Sequence, residues 1–592
     1  MSEYFDCKMS QSQENNTKFI EDLTKYLKEN QFKEALNLFK GDDYDDIIKE
    51  ISWDIVPITS SYLTTENAKC NSDLIECCTD ILNVVAEKCN PSEVILQLLE
   101  QIENPEEDVK FCIILSVLTK SISKMNDKTK ALEWCISTIR SYVESLSIPN
   151  KECKDKTMVG RRIQCVYTTI MSFLESLVEE AALRNTDSEK CIILKDYVLS
   201  VLIFLMGRPL CQIEEESEAW FNQNFPERII MLANRLNRDL LWFLNIIDKK
   251  SRKSNSKPKN MNEESNNLKV MLFELNENVP DLAYANFYFY IITKSHLWEK
   301  VPQIYDSQYV FQSCIYLIIK LIQEQGNIAI TKGLNLLDHL LPRISTHSFT
   351  SELLELHIYS ELFDVLVKVM VYCDNAKARR RALHIFEKYI EVFDIQARYC
   401  IVLRLYQKCE HSGLLSLTTG IFKESIIECL EAVPPIPYFL GNNLESMLKL
   451  ACRLPHGSAS DLVELSDEII TSLNLLRFLF IRDKNNRTGI WNLVDKLESE
   501  YLKPLREGIS LCRAHWKVKI KDLEEQKKIH RTSDSVELQK DDTEVILTVG
   551  GEKLPAMPVP EKISFCYQAV NGLDVMESIL IRVNECIADR PS

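Results

Sequence analysis

The side chains best suited to chemistry in this 592-residue sequence are 9 histidines, 20 cysteines and 87 acidic residues. His384 and Glu387 are three residues apart, so a helix would place both on one face, where they could bind a metal. Di-iron carboxylate bundles use such pairs, but they need two of them together with further glutamates. Because this sequence has one, a solvent-facing polar pair is the favoured interpretation.

The cysteines are scattered through helical patterns, and no C-x-x-C spacing occurs. Cys70 and Cys77 are two helical turns apart, with Cys78 adjacent, which is compatible with zinc binding or with core packing. No histidine or second thiol pair completes a tetrahedral set of zinc ligands. We therefore expect small buried thiols in a reducing compartment, with no metal and no cofactor.

Motifs that bind phosphates or build hydrolytic sites are also missing. The sequence contains no P-loop, G-x-G-x-x-G, H-E-x-x-H or G-x-S-x-G. The run GNIAITKG at 326–333 lacks the G-K-[ST] order that places an amine on a phosphate. We predict a protein that is not an enzyme. The alternative, an enzyme with an unrecognised site, would require strongly shifted titratable groups in a deep pocket.

The net charge of −17 disfavours polyanionic partners, because binding phosphates requires a cationic surface. We therefore expect no nucleic-acid and no membrane partner. Residues 1–16 are polar and acidic, without the apolar core of a secretory signal. The longest apolar runs, at 197–206 and 285–292, are too short to span a bilayer. These features predict a cytoplasmic or nucleocytoplasmic protein.

Two basic clusters each leave two interpretations open. The polar segment 249–267 is typical of a solvated linker, and its basic residues are also compatible with nuclear localisation. The run Arg379–Arg381 fits a solvated helix face or a docking patch for an acidic partner. The basic residues of the linker are Lys249, Lys250, Arg252, Lys253, Lys257 and Lys259.

The elements that must position these residues are helices. With 14 glycines, the chain lacks the turns and phosphate loops of sheet proteins, and apolar residues recur at helical spacing along most of it. Pairs of helices of about 15 residues, joined by short turns, are typical of HEAT-like arrays. We predict an all-α, HEAT-like helical-repeat solenoid. Its parts are an N-terminal domain at 1–248, a linker at 249–267, a C-terminal domain at 268–523, a disordered loop at 524–543 and a terminal part at 544–592.

The terminal part combines a hairpin with a helix. Residues 545–549 are β-branched and alternating, Gly550-Gly551 offers a tight turn, and prolines extend 552–560, which predicts a small β-hairpin. A helix at about 562–588 follows. Its predicted apolar face consists of Leu573, Met576, Ile579, Leu580, Val583 and Ile587.

Several stretches are too distinctive for generic helix. They are CRLPHGSASDLVELSDEIITSLNLLRFL (452–479), TGIW (488–491), YLKPL (501–505), RAHW (513–516) and VGGEKLPAMP (549–558), followed by Asp574, Glu577, Ser578, Arg582 and Val583. This succession closely resembles the C-terminal region of the glomulin family. The resemblance is specific from about residue 450, moderate from about 330 and loose before that.

The resemblance implies a function. Glomulins are HEAT-like helical proteins that bind the RING-box subunit of cullin-RING ubiquitin ligases. Their C-terminal part masks the RING surface that recruits the ubiquitin-conjugating enzyme, so ligase activity is inhibited. By that resemblance, we expect this chain to act as a non-catalytic inhibitor, and we expect it to be monomeric. The alternative is a HEAT-like scaffolding or transport adaptor that binds a protein cargo.

The expected contact residues come from the matched C-terminal stretches. Asp574 and Glu577 are expected to meet basic residues on the RING, and Met557 is expected to be an apolar anchor between prolines. Asn474 and Arg477 could instead join neighbouring helices, and Leu554 and Pro555 could pack the hairpin onto the last helices. The full set is Asn474, Arg477, Lys503, His515, Leu554, Pro555, Met557, Pro558, Asp574, Glu577 and Arg582.

Overall fold

The computed structural model describes residues 2–41, 44–102, 105, 107–125, 128–148, 156–183, 189–213, 224–254, 278–532, 548–549, 552–553 and 558–589. Helices occupy most of these residues, as the helical spacing of the apolar residues predicts. The helices up to Gln323 are Ser2–Lys28, Phe32–Lys40, Asp45–Glu50, Ser52–Ser61, Thr65–Cys70, Ser72–Lys88, Pro91–Glu100, Asp108–Ser123, Thr129–Glu144, Lys156–Leu183, Glu189–Leu205, Phe225–Leu236, Leu244–Ser254, Asp281–Thr293, Ser295–Trp298 and Ser307–Gln323.

The second part of the chain is also helical. Its helices are Asn327–Leu340, His357–Tyr372, Ala376–Glu391, Ile395–Lys408, Ser412–Glu431, Asn442–Ala451, Ser466–Arg482, Val494–Leu497, Lys503–Thr532 and Val559–Ala588. Short 3-10 turns occupy Leu210–Gln212, Leu240–Phe243, Leu341–Arg343, Ser351–Glu355, Pro437–Phe439, Gly457–Ala459 and Ile490–Leu493, and Glu498–Leu502 is a π-helical turn. Two strands, Thr548–Val549 and Glu552–Lys553, pair antiparallel, which confirms the predicted hairpin.

Helix starts follow local sequence signals. The Asn90 side chain accepts a hydrogen bond from the Ser92 backbone N–H, and Pro91 occupies the first helical position, where its missing N–H costs nothing. The glycine-rich run at 326–333 also has a structural role. Gly326 has a φ of +122° directly before a helix, and Gly333 lies where an added Cβ would be 2.7 Å from Ile322 Cγ1. The run therefore shapes a close helix contact.

The chain divides into two compact units. The first comprises Met1–Ile344, Asp364–Val369 and Asp374–Ile385, and the second comprises Ser345–Phe363, Met370–Cys373 and Phe386–Ser592. The predicted division at 249–267 therefore differs from the observed one. That segment begins inside the helix Leu244–Ser254, and its part after residue 254 lies outside the described residues.

Burial of polar groups explains why the chain does not divide at 249–267. Asn286 is fully buried, and its Nδ2 donates to the Met206 carbonyl at 2.7 Å. Lys332 Nζ donates to Asn286 Oδ1 at 3.0 Å, and Tyr288 donates to the Leu240 carbonyl at 2.8 Å. Buried polar atoms need such partners. The residues after the basic segment are thus tied to those before it.

Within the first unit the helices form two layers. In one layer, Ser72–Lys88 packs on Asp108–Ser123, which packs on Lys156–Leu183, which packs on Phe225–Leu236. In the other layer, Pro91–Glu100 packs on Thr129–Glu144, which packs on Glu189–Leu205. Alternate helices thus stack on each other, as in HEAT-type arrays. The predicted all-α helical-repeat class is confirmed.

The second unit ends in a different arrangement. The helix Ser466–Arg482, here the 466–482 helix, packs against the terminal helix Val559–Ala588. The other side of the terminal helix packs against Lys503–Thr532, here the penultimate helix. The penultimate helix continues through Thr532, so residues 524–532 are helical where a disordered loop was predicted. Residues 533–547 lie outside the described residues.

None of the helices in the described ranges is at once long and apolar enough to cross a bilayer.

Candidate protein-binding surface on the terminal helices

The terminal helix has one buried face and one exposed face. Leu573, Met576, Leu580 and Val583 are at most 2% exposed and belong to the core of the second unit. This confirms the core of the predicted apolar face, while Ile579 and Ile587 pack against it partly buried. The helix is therefore a core element whose outer face is available to a partner.

The outer face borders a groove between the terminal helix and the 466–482 helix. Its volume is about 560 Å³, and it holds four of the expected contact residues, Arg477, Asp574, Glu577 and Arg582. The rest of the lining is Ser578, Ile581, Glu585 and Cys586. Tertiary packing thus brings together residues from two helices about a hundred positions apart in sequence.

Asp574 and Glu577 have an ion-pair partner within their own chain. Arg513 Nη2 donates to Asp574 Oδ1 at 2.7 Å and to Glu577 Oε2 at 2.6 Å. These two hydrogen bonds raise the pKa of Arg513, that to Glu577 most strongly. The carboxylate side chains remain 58% and 44% exposed. Asp574 and Glu577 are expected to contact basic residues of a partner protein, and they would do so while they are also paired with Arg513.

The groove arginines are arranged differently. In the described part of the chain, Arg477 and Arg582 make no ion pair and no side-chain hydrogen bond. Arg477 is half-buried and Arg582 is exposed. A guanidinium presents five fixed N–H donors, so two unpaired ones beside a groove favour bidentate contact with carboxylates or carbonyl oxygens.

An aromatic patch lies on the penultimate and terminal helices. The Trp516 ring packs edge-on against Phe565 at 5.8 Å and against His515 at 5.6 Å, and Lys519 Nζ lies 4.8 Å from the Trp516 ring centre. His515 is exposed, and Phe565 is 47% exposed. Partly exposed aromatic rings held by neighbours are typical of interface anchors.

The other expected contact residues lie apart from the groove. Asn474 is exposed, and its amide donates to the Ile470 carbonyl of its own helix at 2.9 Å, so the observed bond joins no neighbouring helix. Lys503 is exposed at the start of the penultimate helix. Pro558 is exposed directly before the terminal helix. Leu554, Pro555 and Met557 lie outside the described residues.

Sequence reasoning missed part of this surface. Ile581 and Glu585 line the groove, and Arg513 neutralises part of its charge. The helical spacing of 574, 578, 581 and 585 on one face could have indicated the first two. Arg513 was within a matched motif, but nothing in its local sequence shows which carboxylates it reaches.

A second pocket of about 490 Å³ contains a buried carboxyl. Glu468 is 7% exposed, and its Oε2 has no hydrogen-bond partner. Burial, reinforced by Glu464 and opposed by Arg453, raises the pKa of Glu468 to about 7. Strongly shifted groups in pockets occur at functional sites and in structural networks alike. The pocket is also lined by Glu410, Arg453, His456, Ser460, Asp461 and Glu464, and Glu468 Oε2 is hydrogen-bonded to none of them.

The candidate metal ligands differ in exposure. His384 and Glu387 are both exposed. Cys70 is exposed, whereas Cys77 and Cys78 are buried, as core packing predicts. The described ranges contain no group of three His, Cys, Asp or Glu residues arranged to hold a metal ion.

Of the arginine run, Arg381 donates to Asp338 at 3.2 Å and Arg379 donates to the Asp374 carbonyl, so both contact their own chain.

Comparison with known proteins gives consistent relatives. Human glomulin is 28% identical over 572 residues, which cover 95% of this chain and 91% of that protein. Mouse glomulin is 27% identical over 573 residues, with the same coverage. A solved circular tandem repeat protein with novel repeat topology aligns over 96% of this chain and 97% of its own, at 9% identity and a TM-score of 0.21. The family described as "Uncharacterised protein family, YAP/Alf4/glomulin" matches residues 12–564, and this chain belongs to that family.

Proposed function

We propose that this protein is a non-catalytic inhibitor of cullin-RING ubiquitin ligases. It binds the RING domain of the RING-box subunit through its C-terminal helices and blocks recruitment of the ubiquitin-conjugating enzyme. It acts as a monomer, either in the cytoplasm alone or in both the cytoplasm and the nucleus. The proposal rests on the family relationship to the glomulins and on the resemblance of the C-terminal stretches.

The observation that carries the proposal is the groove beside the terminal helix. It combines the unpaired Arg477 and Arg582 with an apolar residue, Ile581, which is 52% exposed. A small RING domain presents a shallow apolar surface with polar edges. Two arginine side chains beside an exposed apolar residue suit such a target. The charged groups would set the orientation of the RING domain, and burial of apolar surface would supply binding affinity.

Rigidity also supports competition for a RING surface. The groove is formed by two helices whose inner faces are fixed in one core, so little conformational freedom is lost on binding. A stable complex buries roughly 800 Å² on each partner. That area exceeds the groove, so we expect further contacts from Val575 on the terminal helix and from the Phe565–Trp516 patch, which the terminal helix shares with the penultimate helix.

A ubiquitination assay tests the proposal. Increasing amounts of the full chain are added to a neddylated cullin–RING-box complex with activating enzyme, conjugating enzyme and substrate. We expect ubiquitin chains to decrease as the protein approaches stoichiometry with the ligase, and excess conjugating enzyme to restore them. A protein acting as a scaffolding or transport adaptor would leave chain formation unchanged at every concentration. The matched control is the double variant Arg477→Glu/Arg582→Glu, which should inhibit poorly.

A further inference from the structure

Two cysteines of the first unit lie side by side at the surface. Cys112 belongs to the helix Asp108–Ser123 and Cys165 to the helix Lys156–Leu183, which pack against each other. Their Sγ atoms are 3.8 Å apart, although the residues are separated by 53 positions. Cys165 is exposed and Cys112 is half-buried. The pair is thus accessible to small reagents.

The distance is suited to bond formation. A disulfide requires an S–S separation of about 2.05 Å, so the two sulfur atoms, which are already in van der Waals contact, would have to move closer by less than about 2 Å. Each thiol sits on a helix held by the layer packing of the unit, so the two sulfurs stay close. This proximity distinguishes the pair from Cys70, which is exposed without a neighbouring thiol in the described residues.

The electrostatic environment makes the Cys165 thiol easier to deprotonate than the Cys112 thiol. A hydrogen bond from the Cys112 thiol lowers the pKa of Cys165 to about 7, and the same bond raises the pKa of Cys112. The nucleophile in thiol chemistry is the thiolate. By contrast, burial raises the pKa of Cys77 to about 11 and that of Cys78 to about 12. Those two adjacent cysteines are therefore unreactive core residues.

We propose that Cys112 and Cys165 form a redox-active pair that a hydroperoxide oxidises to a disulfide. With hydrogen peroxide, the thiolate of Cys165 attacks one peroxide oxygen, forming an S–O bond and breaking the O–O bond, and the hydroxide that leaves takes a proton to become water. Cys112 then loses its proton and its sulfur attacks the Cys165 sulfenic acid. The S–S bond forms, the S–O bond breaks, and hydroxide leaves and is protonated. The two thiols lose two electrons in total, and hydrogen peroxide becomes two waters.

The disulfide would join two stacked helices of one layer. It would close a chain loop of about fifty residues, which constrains the unfolded chain more than the folded one. Oxidation is therefore expected to stiffen this part of the array and to raise the midpoint of thermal unfolding. The chemistry is independent of the groove on the terminal helices, so it can be tested without a ligase.

The test uses the full chain, fully reduced and then exposed to increasing hydrogen peroxide. Remaining thiols are alkylated and the digest is analysed by mass spectrometry. We expect a Cys112–Cys165 cross-linked peptide at lower peroxide than any oxidation of Cys70. Before oxidation, Cys165 should be alkylated at pH 7 roughly five- to ten-fold faster than Cys70, because the hydrogen bond from Cys112 favours the thiolate of Cys165.

Two single variants assign the roles. In Cys112→Ser, Cys165 should accumulate as sulfenic acid that a dimedone probe traps. In Cys165→Ser, Cys112 should react no faster than Cys70, and the matched Cys70→Ser variant should form the disulfide like wild type. The proposal is overturned if Cys70 oxidises before any cross-link appears, or if wild-type Cys165 is alkylated no faster than Cys70. The alkylation rates come from the unaltered chain, so the result stands even where a variant folds poorly.

Discussion

Arg513 holds Glu577 with an Nη2–Oε2 distance of 2.6 Å, and this contact connects the penultimate helix to the terminal one. The same nitrogen reaches Asp574, so one guanidinium bridges two carboxylates that are one helical turn apart. The bridge orients the outer face of the terminal helix. It also sets the charge of the groove, because two acidic residues there are partly neutralised while Arg477 and Arg582 are not.

Replacing Arg513 with methionine should destabilise the second unit modestly. The substitution keeps the apolar stem but leaves Asp574 and Glu577 as adjacent like charges. Since both carboxylates are about half exposed, solvent screening limits the loss to about 1 kcal/mol in the free energy of unfolding. Urea unfolding measures it. The control Arg506→Met breaks the more exposed pair with Glu498 and should cost less. If both variants lost the same free energy of unfolding, the Arg513 bridge would contribute no more to stability than the exposed Arg506–Glu498 pair.

Charge reversal at the groove should weaken binding to the RING-box protein. We expect Arg477→Glu and Arg582→Glu each to raise Kd at least about ten-fold. Each variant replaces a guanidinium group, which donates hydrogen bonds, with a carboxylate that repels acceptor oxygens of the partner. The matched control Arg482→Glu changes the same charge on the 466–482 helix outside the groove, and should alter Kd by less than about three-fold. Calorimetric titration with a cullin–RING-box complex provides the comparison. Unchanged affinity in both groove variants would place the interface elsewhere.

Glu468 should make the stability of the second unit depend on pH. Folding raises the pKa of this buried carboxyl from 4.5 to about 7. The folded state therefore holds a proton that the unfolded chain loses between these values, so stability is highest below pH 4.5 for this group and falls as pH rises to about 7. The shift sets an upper limit on the order of 3 kcal/mol.

The variant Glu468→Gln removes that titration. At pH 8 it should be more stable than wild type by roughly 1–2 kcal/mol, since an amide has no charge to desolvate but still leaves a buried polar atom imperfectly paired. At pH 5 the advantage should shrink or reverse. Chemical unfolding at both pH values checks this, with the exposed Glu464→Gln as control. A difference between variant and wild type that stays constant from pH 5 to pH 8 would refute the account.

The terminal helix should be required for folding as well as for binding. Met576 is fully buried, and we expect Met576→Ala to cost about 2–5 kcal/mol. Its exposed neighbour Val575 is the control, and Val575→Ala should change the free energy of unfolding by less than about 0.5 kcal/mol. Thermal unfolding distinguishes them. Because removal of 544–592 would delete Leu573, Leu580 and Val583 from the core of the second unit and uncover the apolar residues around them, a truncated chain should aggregate, so point variants are the sharper test of the interface.

Much of this architecture was predictable from local sequence. Apolar residues at helical spacing predicted the helices, and Gly550-Gly551 between extended stretches predicted the hairpin, because both depend on neighbours within a few residues. The penultimate helix shows the limit. Its polar end after Leu523 resembles a loop in composition, yet it continues to Thr532, since helical hydrogen bonding needs no apolar face once a helix has begun.

By itself, the sequence determined the helical class, the apolar face of the terminal helix and the family to which the chain belongs. The tertiary structure decided that this helix lies between the 466–482 helix and the penultimate one, which brought Arg477 to Arg582 and Arg513 to Glu577. It also placed Cys112 beside Cys165. The physical reason is that helical periodicity fixes which face is buried, whereas the partner for that face depends on packing between distant segments.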